Sequence, residues 1–284
     1  MAEQIEFWDY MKSPLKITNH IRLIELFAGI GAQAKALENI GADFERYRIC
    51  EFDKYAVKSY NAVHGTNFGT SDITKIHADD LGIVDTDKYT YIVTYSFPCQ
   101  DLSTAGRQRG MTKGDNTRSG LLWEVERLLN ECTELPQVLL MENVPQVVGK
   151  KNRADFDKWC AFLESKGYTN KWEILNAKDY GIPQNRKRCF MVSWLGEHTY
   201  KFPSPVPLTV TWKSLLDDDV DEKYYLSDAM LSYFEMNSEK QKAAGNGFKF
   251  DPVEISAGGG YNLTAKAIRT KSGSRMDDNY ILVT

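Results

Sequence analysis

A few short stretches carry side chains able to do covalent and acid–base chemistry. In Ser96-Phe97-Pro98-Cys99-Gln100 a cysteine is fixed by a preceding proline. A free cysteine is usually a small buried hydrophobe, and that reading serves for Cys50, Cys132, Cys160 and Cys189. Cys99 differs, because it lies just past a strand-like run (YTYIVTY, Tyr89 to Tyr95), at a position where active sites gather. Residues 100–120 then hold four Lys/Arg against two Asp/Glu, and cationic surroundings favour a thiolate. Glu142-Asn143-Val144 follows the run VLLM. A carboxylate there is expected to be partly buried, with a raised pKa that lets it donate a proton. Its plainer reading is a helix N-terminal residue before Pro145. In Gln184-Asn185-Arg186-Lys187-Arg188 two arginines at i and i+2 face one side of an extended segment. That is either a solvated basic edge or a pair of guanidinium groups at the same cleft. Phe27-Ala28-Gly29-Ile30-Gly31 lets the backbone come close to a ligand ahead of a helix N-terminus, which favours anionic groups. Many α/β proteins make such a turn for packing alone. Glu51 ends another apolar run, where an acidic residue is the usual partner of ribose hydroxyls, or simply a solvated carboxylate. Asp72 reads equally as a functional carboxylate or a turn aspartate.

The elements that must position these groups alternate in type. Ile21 to Phe27, Tyr47 to Glu51, Tyr89 to Tyr95, Val138 to Met141 and Arg188 to Ser193 read as strands. The stretches after Gly31, from Asp53 to Val63, from Leu121 to Cys132 and from Asp155 to Lys166 have helical apolar spacing. The expected architecture is α/β: a doubly wound, mostly parallel sheet covered on both faces. Ligands in such sheets bind beyond the carboxyl ends of the strands, which is where the motifs fall.

Composition bounds the answer. The chain has 284 residues, 42% hydrophobic and 26% charged, an ordinary globular balance that excludes disorder, collagen and coiled coil. A net charge of −4 excludes a wholly basic nucleic-acid coat but allows a local basic groove. No apolar run reaches membrane-spanning length, and the first sixteen residues lack the apolar core of a signal peptide. Five widely spaced cysteines without CxxC point to a reducing, cytoplasmic setting and no metal site. Past residue 203 the pattern changes. Prolines at 203, 205 and 207 lead into residues 201–254, with six Lys/Arg and ten Asp/Glu. Gly258-Gly259-Gly260 reads as a hinge or tight turn. The expected division is a catalytic domain over 1–204 and a smaller, less regular unit over 205–284.

Taken in order, FAGIG, ICEFD, SDI, SFPCQ, ENV and QNRKR resemble the successive motifs of the C5-cytosine DNA methyltransferases. The resemblance covers about residues 21–195. The family usually has glycine where Ser96 stands. The resemblance implies a Rossmann-like S-adenosylmethionine-dependent fold and methyl transfer to C5 of cytosine in double-stranded DNA. It makes Cys99 the nucleophile that adds to C6 and Glu142 the group at the N3/N4 edge. Arg186 and Arg188 would steady the O2 side and the catalytic loop. Phe27, Gly29 and Gly31 would surround the methionine part of S-adenosylmethionine, with Glu51 on the ribose and Asp72 and Ile73 on the adenine. Phe52 would stack on adenine, and Pro98 and Leu121 match positions lining that pocket. The target base must leave the stack, and the loop from Gln100 to Gly120 would close over it. On that loop Gln100, Arg107, Arg109, Lys113 and Arg118 would contact DNA, giving strong salt dependence.

The C-terminal motifs usual in the family are not found, and Asn262-Leu263-Thr264 is a partial echo. The expected 205–284 unit is thus an incomplete target-recognition region. A second polypeptide carrying the remainder, a truncated gene, and a divergent member each account for this. The competing function is a cofactor- or DNA-binding subunit without turnover, or a relic of such an enzyme. A nucleotide-dependent dehydrogenase rests on the glycine turn and Glu51 alone, and the tRNA-methylating branch shares the motifs. A restriction-modification or phage modification system is the expected setting.

Overall fold

Six runs form one sheet in the computed structural model, which describes residues 13–102, 110–114, 117–211, 213–217, 219–245, 250, 252–255 and 281–283. The strands are β1 (Ile21–Leu26), β2 (Phe44–Cys50), β3 (Thr90–Tyr95), β4 (Val138–Asn143), β5 (Tyr168–Asn176) and β6 (Lys187–Leu195). Their spatial order is β2-β1-β3-β4-β6-β5. The β1–β2, β1–β3 and β3–β4 pairs are parallel, and β6 runs antiparallel to β4. The central strand β3 is buried along its whole length, as its β-branched and aromatic run requires. This is the expected α/β, mostly parallel, Rossmann-like sheet.

The helices that face the sheet are α1 (Ala32–Asn39), α2 (Lys54–His64), α3 (Leu122–Glu131) and α4 (Arg153–Ser165). Alternate strand residues feed two cores. Ile24, Leu26, Val93 and Tyr95 pack with Leu122, Val125, Trp159 and Leu163 on one face. Ile21, Leu23 and Ile92 pack with Ala34 and Trp194 on the other. In α3 the apolar residues 122, 125, 128 and 129 fall on one stripe and are the buried ones. Tyr95 accepts a hydrogen bond from Trp159 Nε1 at 3.1 Å, so a polar tip inside the first core is satisfied.

Contacts divide the chain into a first unit, Met1–Leu175 with Arg188–Phe202, and a second, Asn176–Lys187 with Pro203–Thr284. Within the second unit, Asn176 Oδ1 accepts from the Arg186 backbone amide at 3.0 Å and Tyr180 bridges to Val206. Its helix α5 (Asp228–Ala243) is capped by Ser227, whose Oγ accepts from the Met230 amide. The terminal YILV run pairs as Ile281–Val283, in parallel, with Val253–Ile255. Gly258 to Gly260 and Asn262 to Thr264 lie outside the described residues.

Candidate active site

The nucleophile candidate is placed by three ties, one on each residue before it. Ser96 Oγ accepts from Gln33 Nε2 of α1 at 3.1 Å. The Phe97 carbonyl accepts from Asn143 Nδ2 of β4 at 2.9 Å. The Pro98 carbonyl accepts from the Ser119 hydroxyl, ahead of α3, at 2.7 Å. Cys99 follows, half-buried and unbonded to another sulfur, at the carboxyl end of β3. Because β3 and β4 are parallel, with Tyr95 opposite Met141, their carboxyl ends emerge side by side. Glu142 and Asn143 are the last two residues of β4, within the strand and not after it. Asn143 therefore joins the Cys99 loop to the strand that carries Glu142.

Glu142 is half-buried and its Oε1 lies 2.8 Å from Arg188 Nε. The register explains the pair. Glu142 lies opposite Phe190 on the antiparallel strand β6, so Arg188 is its diagonal neighbour on the same face. Cys99, in the loop that follows β3, thus belongs to the first unit together with Glu142 on β4 and Arg188 on β6, and these are three adjacent strands of the sheet. Arg186, two residues earlier, belongs to the second unit, where its backbone amide and carbonyl are held by Asn176 and Ala177.

At the neighbouring strand ends, β1 leads into the turn Phe27–Gly31. Phe27, Gly29 and Gly31 all have positive φ, of 58°, 56° and 81°. A Cβ at Gly29 would meet nothing within 4 Å, whereas one at Gly31 would lie 2.2 Å from His64 Nε2 and 2.6 Å from Tyr60 Cε2. Gly29 faces open space, but Gly31 has a packing reason of its own to be glycine. Glu51, past the end of β2, accepts from the Gly29 amide at 2.9 Å through Oε2 and from the Asp53 amide at 2.9 Å through Oε1. Next to it Phe52 is 78% exposed, an uncovered ring. α1 begins with no side-chain cap, leaving amides of its first turn to other partners. An open glycine, a carboxylate oriented by two amides and an uncovered aromatic ring fit a nucleoside bearing a charged tail.

Other expected contacts are placed differently in kind. Asp72 Oδ1 accepts from the Thr74 amide and hydroxyl, which hold its carboxyl below the usual range. Ile73 is buried in the first core. Leu121 packs against that same core, and Ser119 links it to Pro98. Lys113 is ion-paired with Glu126 at 2.7 Å, and Arg118 donates to the Gln100 carboxamide oxygen. Arg107 and Arg109 lie outside the described residues.

Several positioning groups escape a sequence reading. Glu25 is fully buried within β1, accepting from the Tyr60 hydroxyl at 2.5 Å and the Ala34 amide at 3.2 Å. Burial pushes its pKa up. A carboxylate inside the apolar run IRLIELF was a usable signal. Ser119 and Gln33 offered none. On α3, Arg127 Nη2 donates to the carbonyls of Ile73 and Ile76 at 2.8 and 3.0 Å, fixing the segment that carries Asp72.

A model of the C-5 cytosine-specific DNA methylase family matches residues 21–281, well past the span legible in the motifs. The chain belongs to this family. As an enzyme, this C-5 cytosine methylase is of the DNA (cytosine-5-)-methyltransferase class, and S-adenosylmethionine dependence comes with the family. The methylase is 35% identical over 260 residues to the type II methyltransferase M2.ScrFI of Lactococcus lactis subsp. cremoris, covering 75% of this chain and 72% of that one. It is 35% identical over 281 residues to the orphan methyltransferase M.SssI of Spiroplasma monobiae, covering 80% and 72%. Among solved structures the S. pombe Dnmt2 methyltransferase superposes with a TM-score of 0.61 at 21% identity, over 82% of this chain and 67% of that one, a likeness of fold. No helix among the described residues is long and apolar enough to cross a membrane. No group of three or more potential metal ligands is found among them.

Proposed function

We propose that this methylase transfers the methyl group to C5 of a cytosine swung out of double-stranded DNA, through a covalent bond between Cys99 and C6. The observation that carries the reading is the tie between the Cys99 loop and the Glu142 strand, with Arg188 paired to that glutamate. C5 of cytosine is a poor nucleophile. The Cys99 thiolate forms a bond to C6, and the electron pair displaced through the ring is met by a proton from Glu142 at N3. C5 is then enamine-like and able to attack an electrophilic carbon, so one hard step becomes two easier ones. Arg188 orients the Glu142 carboxyl and places positive charge near the ring as its electron density shifts. Arg186, by the family resemblance, would steady the O2 side of the base. Once C5 is substituted it loses its proton to a base, the C6–sulfur bond breaks to release the Cys99 thiolate, and N3 returns its proton to Glu142.

S-adenosylmethionine supplies the electrophilic methyl group. Glu51, with Phe27, Gly29 and Gly31, would hold its ribose and methionine parts. Phe52, Asp72 and Ile73 would hold the adenine, with Pro98 and Leu121 behind. The target atoms cannot be reached inside a stacked duplex, so the base leaves the helix at a cost of a few kcal/mol. Gln100, Arg107, Arg109, Lys113 and Arg118 would take phosphates on the strand. The setting is a modification system like those of the type II relatives. The second polypeptide expected from the sequence has no support in the comparisons.

The test is tritiated methyl transfer to duplex DNA, with trapping on DNA carrying 5-fluorocytosine. The native chain is expected to transfer label and to form a denaturation-resistant adduct. Cys99→Ala is expected to lose both with an unchanged melting temperature. Full turnover by Cys99→Ala overturns the reading.

A further inference from the structure

Gln33 and Ser96 have no part in the chemistry above. Gln33 is the second residue of α1, directly after the turn Phe27–Gly31, and its Nε2 donates to Ser96 Oγ at 3.1 Å. Both side chains are half-buried. Ser96 stands three residues before Cys99, and its hydroxyl is what Gln33 binds. Of the three ties that precede Cys99, two fix the loop to β4 and to the turn ahead of α3. The Ser96 tie ends on α1, the helix that begins where the glycine turn finishes.

We propose that the Gln33–Ser96 hydrogen bond is a clasp that sets the spacing between the nucleophile loop and the cofactor turn, making Gln33 and Ser96 positioning residues for methyl transfer. This rests on Cys99 acting as the nucleophile and Phe27–Gly31 as the cofactor turn. In that reading the two reacting carbons are carried on different loops. One is C5 of a base bonded to Cys99, and the other is a methyl group held by the glycine turn. A misplacement of about 1 Å between such partners costs on the order of 10²-fold in rate. Removing one tie of three leaves the loop anchored by the other two. The loss is therefore smaller, about three- to tenfold in the single-turnover rate of methyl transfer. Ser96 accepts in this bond and keeps its own proton, so the bridge has a second possible polarity. With Gln33→Glu the Ser96 hydroxyl donates to the new carboxylate and the clasp persists.

The experiment measures single-turnover methyl transfer, 5-fluorocytosine adduct formation, S-adenosylmethionine affinity and melting temperature. It compares the native chain with Gln33→Ala, Ser96→Ala, the double variant and Gln33→Glu. Gln33→Ala and Ser96→Ala are expected each to slow methyl transfer about three- to tenfold, and the double variant no further, since both remove one interaction. Gln33→Glu is expected to stay within about twofold of the native rate. Cofactor affinity and melting temperature are expected to stay near native throughout. Additive losses, native rates in both alanine variants, or a fall in cofactor affinity that matches the fall in rate overturn the clasp. A native chain that forms no adduct overturns the nucleophile assignment instead, and the clasp with it. Should either alanine variant fold poorly, the Gln33→Glu rate against a Gln33→Asn rate decides. Native speed in Gln33→Asn, whose amide is one carbon too short to reach Ser96, overturns the proposal.

Discussion

Substituting Gly31 by alanine tests whether the turn between β1 and α1 is shaped by packing or by its ligand. Gly31 is buried at φ 81°. An added Cβ would lie 2.2 Å from His64 Nε2 and 2.6 Å from Tyr60 Cε2. Neither neighbour can step aside freely. The Tyr60 ring is fully buried and its hydroxyl is held by Glu25 at 2.5 Å. His64 Nε2 donates to the Ile30 carbonyl at 3.1 Å, inside the same turn. A left-handed backbone costs an alanine about 1–2 kcal/mol. Forcing a methyl group into a filled site costs about 1–3 kcal/mol more. Gly31→Ala is therefore expected to lose about 2–5 kcal/mol. Gly29 supplies the control, because its φ is 56° but its Cβ direction is open. Gly29→Ala should lose only the backbone part, about 1–2 kcal/mol. Urea unfolding followed by tryptophan fluorescence gives both differences from the midpoints, provided the slopes agree. Equal losses for the two variants, within about 0.5 kcal/mol, would refute the clash as the reason for the second glycine. Gly29→Ala should also raise the KM for S-adenosylmethionine severalfold, since its new methyl group enters the space assigned to the cofactor.

The remaining expectations concern charge. Burial raises the Glu25 pKa, so the folded state holds that proton more tightly than the unfolded chain does. Its contribution to stability is then present below the unfolded carboxyl value and is lost as pH rises through the folded one. Glu25→Gln removes the titration, and its urea midpoint relative to the native chain should improve from about pH 4 to pH 8. A difference that does not move with pH counts against this. Glu142→Gln breaks the ion pair with Arg188 and removes the proposed proton donor. Methyl transfer should fall by about 10²- to 10⁴-fold. The melting temperature should also fall, since the Glu142 and Arg188 side chains are only 23% and 20% exposed and the guanidinium loses a carboxylate partner. Arg127→Ala strips the donors from the Ile73 and Ile76 carbonyls. It should destabilise by about 1–2 kcal/mol and weaken S-adenosylmethionine binding. Unchanged affinity by calorimetry would dissociate that segment from the cofactor.

The amino-acid sequence determined the parts whose physics is local. An apolar run of period two or a stripe at helical spacing reports burial over a few residues, so β1, β3, α3 and α4 were legible to within a residue or two. The edge strand Tyr168–Asn176 was not, because seven of the nine residues of YTNKWEILN face solvent or sit half-covered and the alternation is lost. Helix α5 was missed for a related reason, with Phe234 its buried residue and no apolar stripe to mark it. Cys99 and Glu142 were both readable as residues at or just past strand ends. Tertiary structure decided their partners. Arg186 and Arg188 look equivalent at i and i+2, yet they fall in different units, and Arg188 meets Glu142 through the antiparallel register of β4 and β6. Gly31 looked like a ligand glycine and turned out to be hemmed in by Tyr60 and His64, about thirty residues along the chain. Spacing along a chain encodes which face a residue takes. What it meets there depends on strand order and direction, set by the packing of the whole sheet, and no local run of residues carries that information.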